Sequence, residues 1–258
     1  MMTQDRPPSI TIRESDFVLA LSVVVGERAM RRSTVLLLCL VSILACPASA
    51  APLPARIGAA SINLVLPPGL CPIDATQWAD AQYLKLLGDA VRANGANGIL
   101  AGFADCQQLA DWRAGRKTLL DDHGQYQTML KLENTVLPKM AIGQICQGLR
   151  KRGAQRYQDI PIEDVQRLER VADGLQVHEV RFLGVIGEDE NGCYSALVED
   201  AQATNGIAKA QAGVYATSLV KGKVVTFYLF APYRGAETIT RLMQVVKATM
   251  GDLQLANP

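Results

Sequence analysis

Three consecutive residues, Asp121, Asp122 and His123, are the part of this sequence best equipped for chemistry. Two carboxylates beside an imidazole can exchange protons with a substrate, and the same groups can bind a metal ion. Gly124 follows them, and a polar run that ends in glycine is also typical of a turn. Two interpretations are therefore open: a candidate catalytic site, of a hydrolase, and a turn without chemistry.

Two further charge clusters invite a ligand. The Glu-Asp-Glu run at 188–190 could attract calcium, but it lacks the spacing of an EF-hand loop and is more typical of a solvated hairpin tip. The Arg-Lys-Arg run at 150–152 could bind phosphate, but basic residues at the end of a helix also complement the helix dipole. From these clusters we predict no metal site and no cofactor.

The absence of sequence motifs excludes several classes of function. The three serines after residue 50 do not stand in GxSxG, and neither histidine belongs to an HExxH motif. GxGxxG and the P-loop pattern are also absent, so no dinucleotide or nucleoside triphosphate cradle is predicted. With a net charge of +1 and 5% aromatic residues, the chain lacks the basic field and the stacking platforms of nucleic-acid-binding proteins.

Residues 30–50, MRRSTVLLLCLVSILACPASA, have the layout of a secretory signal peptide. Two arginines precede a mostly apolar run over 34–46, and an Ala-Ser-Ala tail supplies the small residues that signal peptidase accepts. At 1.5 Å per residue this run spans roughly 20 Å, short of the ~30 Å hydrocarbon core. We expect cleavage between Ala50 and Ala51, a periplasmic or secreted location, and no membrane span in the mature chain.

Alternatives to this interpretation concern the residues around the signal. Cys46 stands in Ile-Leu-Ala-Cys, a poor lipoprotein box because Leu44 is bulky, so acylation of Cys46 is the minor alternative. Residues 1–29 precede a complete signal, and we interpret them as an over-extended, disordered translation start.

Four cysteines follow the signal: Cys71, Cys106, Cys146 and Cys193. An even number in an exported chain predicts two disulfides. Of the three possible pairings we favour Cys71–Cys106 and Cys146–Cys193, because each joins a cysteine in or beside a helix to one in a predicted strand. The alternative is four buried free thiols. The absence of CxxC argues against a zinc ribbon and a thioredoxin-like redox pair.

Hydrophobic periodicity and turn residues divide the remaining chain into a flexible linker, 51–60, and a single domain, 61–258. The domain begins with a strand that ends at a Pro-Pro-Gly stop, and Asp74 and Gln77 form a capping box for the first helix. Strands are predicted at 61–67, 99–109, 125–132, 177–186, 193–198, 212–220 and 223–230, and helices at 74–94, 138–151, 161–174 and 237–253. Strands that come as hairpins with helices between them indicate an α+β fold, a mainly antiparallel sheet flanked by helices.

Two stretches carry a resemblance to a known family: INLVLPPGLC at 62–71, and VKGKVVTFYLFAPYRGAETITRLMQVVKATMGDLQ at 220–254. The first is a strand with a Pro-Pro-Gly stop, and the second is a last hairpin strand followed by a helix that would cover the sheet. This order resembles the PsbP-like α/β/α sandwich of exported accessory proteins. The chain also resembles uncharacterised exported bacterial proteins that begin with an LPPGxC element. The resemblance implies an accessory or binding role and transfers no active-site residue.

Three hypotheses on function follow. The favoured one is an exported, non-enzymatic accessory or binding protein of the cell envelope that binds a protein or another envelope partner. The second is a carrier of a small molecule, with a pocket between the sheet and the helix at 75–94. The third is a hydrolase that uses Asp121, Asp122 and His123. Nothing in the sequence indicates the oligomeric state or the identity of a partner.

Overall fold

A computed structural model of the chain describes residues 52–93, 97–156, 175–203 and 208–258. These residues belong to one compact unit, Ser49–Pro258. The two N-terminal segments, 1–29 and 30–50, lie outside the described residues, as do Cys46, the predicted cleavage site and the helix predicted at 161–174.

The described elements follow one another in the order β1 (Leu53–Ile57), β2 (Ala60–Leu64), β3 (Leu70–Pro72), α1 (Trp78–Ala93), β4 (Asn97–Asp105), α2 (Cys106–Arg113), β5 (His123–Met129), a 3-10 turn (Leu130–Leu132), α3 (Ala141–Arg156), β6 (Leu175–Asp189), β7 (Gly192–Ala203), β8 (Ala208–Val220), β9 (Lys223–Pro232) and α4 (Ala236–Leu255). The strands β1 and β2 form a separate hairpin, and the other seven form one sheet in the order β3-β4-β5-β9-β8-β7-β6. Every pair of neighbours in this sheet is antiparallel. The predicted α+β fold is therefore confirmed.

The long C-terminal hairpins follow from local chemistry. The turn between β8 and β9 has positive φ at both Lys221 (49°) and Gly222 (73°), the handedness that matches the twist of the paired strands. The strands β6 and β7 extend to Asp189 and from Gly192, so the connection is shorter than the predicted loop at 187–192.

The main hydrophobic core lies on one face of the sheet, beneath α4 and the β1–β2 hairpin. Alternate residues of the strands face it, as the pleat requires. Phe227 stacks on Phe103 with ring centroids 5.3 Å apart, and Tyr126 packs on Phe227 at 4.8 Å. The Tyr126 hydroxyl donates a hydrogen bond to the Val65 carbonyl at 2.5 Å, which joins the strand to the loop after β2.

A smaller cluster lies on the opposite face, at the β3–β4 end of the sheet. Ala104, the neighbour of the core residue Phe103, packs there against Ile73, Leu109 and Leu120, with the side chains of Tyr83 and Trp112 around them. Helices α1 and α2 thus cover this end of the sheet.

The segment 51–60 is not a flexible linker as predicted. Leu53–Ile57 pairs with Ala60–Leu64, and Gly58 supplies the positive φ of the turn. The side chains of Ile57 and Ile62 are buried in the main core. Buried and exposed residues alternate along this strand, with Ala55 and Ile57 facing inward. The alternation is weak in the sequence because several of the residues are small.

The second predicted strand ends earlier than expected. It was predicted to continue through Cys106 to Leu109, but β4 ends at Asp105 and α2 begins at Cys106. The Asp105 side chain accepts a hydrogen bond from the Gln108 N–H at 2.9 Å and so caps the helix. The hydrogen bond of the Asp105 cap favours a helix after this residue, although the apolar residues of the segment also suit a strand.

The cap predicted for the first helix is also different. Helix α1 begins at Trp78, and Asp74 instead forms a turn in which its Oδ1 accepts the Thr76 N–H at 2.9 Å. The side chain that reaches back to the Asp74 N–H is Asp80, at 2.7 Å, rather than Gln77.

Both favoured disulfides are present. Cys71 of β3 is bonded to Cys106 of α2, and Cys146 of α3 to Cys193 of β7, with Cα atoms 4.9 and 5.6 Å apart. In the first bridge the elements are exchanged relative to the prediction, because Cys106 starts a helix. The second bridge fastens α3 to the sheet.

Candidate functional site

The carboxylates of Asp121 and Asp122 hold a loop onto α2. Asp121 accepts the Lys117 ammonium at 2.6 Å, and both groups are mostly buried. The Gln108 side-chain amide donates to Asp122 at 2.8 Å, and its oxygen accepts the Asp121 N–H at 2.8 Å. Each carboxylate therefore has a structural partner.

His123 lies in a strand and not in the predicted turn. It is the first residue of β5, paired with Ala104 and Phe230. Its ring stacks on the Phe230 ring with centroids 5.2 Å apart, and its Nδ1 is buried and forms no well-aligned hydrogen bond with a described residue. Burial lowers the pKa of His123, opposed by the nearby backbone and by the carboxylates of the two preceding residues. These contacts favour the structural interpretation over the catalytic one.

Two of the three carboxylates in the acidic run at 188–190, Glu188 and Asp189, have neighbouring partners. Glu188 forms an ion pair with Arg150 of α3 at 2.8 Å, which also engages the basic run at 150–152. Asp189 accepts the Tyr194 hydroxyl at 2.8 Å and lies 3.8 Å from the Lys247 ammonium. Among the described residues, no group of three or more His, Cys, Asp or Glu side chains could hold a metal ion.

A cleft of about 380 Å³ lies between the sheet and α1, where the carrier hypothesis placed a pocket. One wall is the β1–β2 hairpin, with Leu53, Pro54 and Leu64. The opposite wall is α1, with Leu84, Gly88 and Arg92. The floor is the stretch 98–102 of β4, and Pro72, Ile73 and Ala75 close one end.

Two glycines shape this cleft. A side chain at Gly102 would strike the Leu84 and Ile73 side chains, so the glycine lets α1 pack closely on β4. At Gly88, in contrast, an added Cβ meets only the flexible Arg92 guanidinium within 4 Å, so a larger side chain there displaces that group. A glycine inside a helix costs about 1 kcal/mol relative to alanine. Gly88 was the sequence signal that could have indicated the cleft.

The cleft is lined by apolar residues and glycine with a single charged side chain. Arg92 is the one ionisable residue among the residues that line it, and it forms an exposed ion pair with Asp89 at 3.2 Å. The other lining residues are apolar or glycine. Concave apolar sites with few polar groups are typical of ligand sites.

The floor of the cleft includes the edge of a strand. The ladder between β3 and β4 pairs Leu70–Pro72 with Phe103–Asp105, and the Ile73 N–H still donates to the Gly102 carbonyl at 2.9 Å. Beyond that point β4 pairs with β5 alone, with a bulge between Ile99 and Ala101. Within the part of the chain that the structure describes, no strand lies along the outer side of Asn97–Ala101.

One end of the cleft is anchored by a buried ion pair that sequence reasoning missed. The Asp80 carboxylate on α1 is fully buried and accepts hydrogen bonds from Nε and Nη2 of Arg113, at the end of α2; the Nε distance is 3.0 Å. The partners are 33 residues apart, so no local spacing signals the pair.

A second cavity, of about 290 Å³, lies beside the turn between β8 and β9. Its Ser218 hydroxyl donates to the Asn191 carbonyl and accepts the Gln254 amide at 2.9 Å. The hydroxyl is engaged by an amide and a carbonyl and not by a base, so it is not an activated nucleophile.

Glu199 of β7 is mostly buried, and burial raises its pKa to about 7. Because the folded pKa lies above the unfolded value, the native state binds more protons, and stability falls as the pH rises from about 4.5 through 7. We expect Glu199→Gln to raise the free energy of unfolding by about 1–2 kcal/mol at pH 8, after allowance for partial exposure, and to leave it nearly unchanged at pH 4. Urea unfolding at both pH values measures this difference.

The matched control is Glu190→Gln, which changes an exposed carboxylate at the tip of the β6–β7 hairpin. It should shift stability by less than about 0.5 kcal/mol at either pH. Equal effects of the two substitutions at pH 8 would contradict the assigned burial cost.

The described residues thus define an α+β protein with a seven-stranded antiparallel sheet, two disulfides and, beside its first helix, a cleft lined mainly by apolar residues and glycine. None of the described helices combines the length and the apolar character needed to cross a membrane. Comparisons with family models, with curated proteins and with solved structures find no match.

Proposed function

We propose that this chain is an exported, non-enzymatic binding protein of the cell envelope whose ligand site is the cleft between the β1–β2 hairpin, β4 and α1. The observation that carries the proposal is the chemistry of the cleft. The side chains on its walls are apolar, Gly88 leaves room on the α1 wall, and its single ionisable lining group, Arg92, is a cation and not a catalytic acid or base.

Export is supported by two independent features. Residues 30–50 have the layout of a signal peptide, and all four cysteines after them are paired in disulfides. Disulfides persist in oxidising compartments outside the cytosol. The intact mass of the protein from its native host, measured with and without reductant, tests this part. We expect a chain that begins at Ala51 and gains the mass of four hydrogens on reduction.

The accessory role draws further support from the PsbP-like order of elements noted in the sequence. The hydrolase alternative has less support, because Asp121 and Asp122 are bound by Lys117 and Gln108, and His123 stacks on Phe230. None of the three candidate residues lines the cleft.

The cleft is tested with 1-anilinonaphthalene-8-sulfonate, an apolar anion whose charge complements Arg92. Residues 51–258 contain every described element and both disulfides, and they are the chain to use. We expect Gly88→Leu to weaken binding of the dye at least tenfold, because the new side chain enters the cleft. Fluorescence titration of the native protein gives the dissociation constants.

Gly143→Leu is the matched control. Gly143 lies on the exposed side of α3 with nothing within 4 Å of a built Cβ, so the substitution makes the same change in a helix away from the cleft. Dye binding should be unaltered by it. Loss of dye binding in both variants, or in neither, would refute the cleft as the ligand site.

A further inference from the structure

The open edge of β4 suggests what kind of ligand the cleft binds. Strand β4 has nine residues, and β3 covers only three of them. The hydrogen bond from the Ile73 N–H to the Gly102 carbonyl is the last between this segment and β4. Asn97–Ala101 is half-buried along the floor of the cleft, and on its outer side no described backbone group is bonded to it. Backbone N–H and C=O groups that are partly removed from water need hydrogen-bond partners.

The shape of the cleft restricts what can supply these partners. The β1–β2 hairpin rises on one side of the β4 edge and α1 on the other, so the edge is recessed between two apolar walls. A recessed edge does not admit the edge of another folded sheet, and the bulge between Ile99 and Ala101 further breaks a long flat ladder. A single extended segment has both the width to enter and the alternating donors and acceptors to pair.

We propose that the cleft binds an extended peptide segment of a partner protein, which adds to the sheet as a strand along the outer edge of Asn97–Ala101. The peptide takes the position next to β4 that β3 occupies further along the strand, and it begins where the β3 segment leaves the sheet at Ile73. This inference rests on the proposed function and names its ligand class. Main-chain hydrogen bonds supply affinity in this mode of recognition, and alternate side chains supply specificity.

The walls indicate the side chains of the peptide. Alternate residues point toward the hairpin and toward α1, where Leu53, Leu64 and Leu84 offer apolar surface. Arg92 is the one charge on these walls and favours an acidic or uncharged residue near the end of α1. The expected segment is therefore apolar at alternate positions and contains no lysine or arginine near Arg92.

The experiment begins with an unbiased phage-displayed decapeptide library panned on residues 51–258. The most enriched sequence is synthesised, and its dissociation constant is measured by fluorescence anisotropy. Two series of this peptide, N-methylated at odd or at even positions, then test strand pairing, because N-methylation removes a backbone donor and leaves the side chain in place. Only one set of alternate N–H groups of an added strand faces the sheet.

We expect Gly88→Leu to weaken the unmodified peptide at least tenfold and Gly143→Leu to leave its affinity unchanged. We expect one N-methylated series to lose at least tenfold in affinity and the other to stay within about threefold of the parent, because a lost main-chain pair costs around a factor of ten. Failure to enrich any peptide, binding that Gly88→Leu does not alter, or equal loss in both series would each overturn the inference. If the dye still binds in the cleft in those cases, the cleft remains the proposed ligand site and only the proposal of a peptide ligand is refuted.

Discussion

Arg113→Met is expected to lower the free energy of unfolding by about 3 kcal/mol, because it leaves the Asp80 carboxylate buried without its counter-ion. The Asp80 side chain is 0% exposed, while that of Arg113 is 28% exposed. Methionine keeps the length of the stem and removes both guanidinium hydrogen bonds. The remaining donor to Asp80 is the Asp74 N–H, which does not neutralise the charge.

Urea unfolding at pH 7 measures this loss, and two further variants interpret it. Arg116→Met removes the ion pair with Asp111, whose arginine side chain is 63% exposed, and should cost less than about 1 kcal/mol. Asp80→Asn added to Arg113→Met removes the buried charge and should recover part of the stability. If Arg113→Met costs no more than Arg116→Met, Arg113 does not stabilise the buried Asp80 carboxylate as we describe.

The second large effect is expected from the bridge that fastens α3. Replacing Cys146 and Cys193 together by alanine should lower the free energy of unfolding by about 2–4 kcal/mol, mostly by loosening the constraint on the unfolded chain. Besides this bridge, the Arg150–Glu188 ion pair joins α3 to β6, with side chains about half exposed. We therefore expect α3 to lose protection from amide hydrogen exchange before the rest of the protein.

The other bridge provides a matched comparison. Cys71 and Cys106 are 35 residues apart and Cys146 and Cys193 are 47 apart, so the two loops have similar closure entropies. The double alanine variant at Cys71 and Cys106 should lose a similar amount of stability. Because it frees β3 at the end of the cleft, it should also weaken dye binding, whereas the variant at Cys146 and Cys193 should not. The reverse pattern would contradict the position that we assign to the ligand site.

The hairpins could be predicted because their information is local. Alternating residues on both sides of Glu190-Asn191 and Lys221-Gly222 specify strands that turn back within two residues, and β6 to β9 follow. The pairing of the cysteines was predictable for a related reason, since the few possible pairings could be weighed by the elements around them. Other boundaries were harder to predict, because one segment can suit two kinds of secondary structure. The residues after Asp105 suit a strand, but the Asp105 side chain caps them as helix α2.

The candidate site was less predictable. The run from Asp121 to His123 had the residue types for catalysis, but its contacts depend on Gln108 and Phe230, which only folding brings near. The position of the cleft was predicted, beside the first helix. Its open strand edge was not, because an edge is defined by the absence of a neighbour, and no single segment encodes that.

The sequence by itself determined the class of the fold, the secondary structure of its long hairpins and the cysteines that pair, since these follow from periodicity, turn chemistry and a small number of combinations. Only the tertiary structure decided that β3 stops after three residues, that Asp80 meets Arg113, and that the β1–β2 hairpin and α1 leave the edge of β4 recessed between them. These features join residues that are distant in the chain, so their energies arise only when the core assembles.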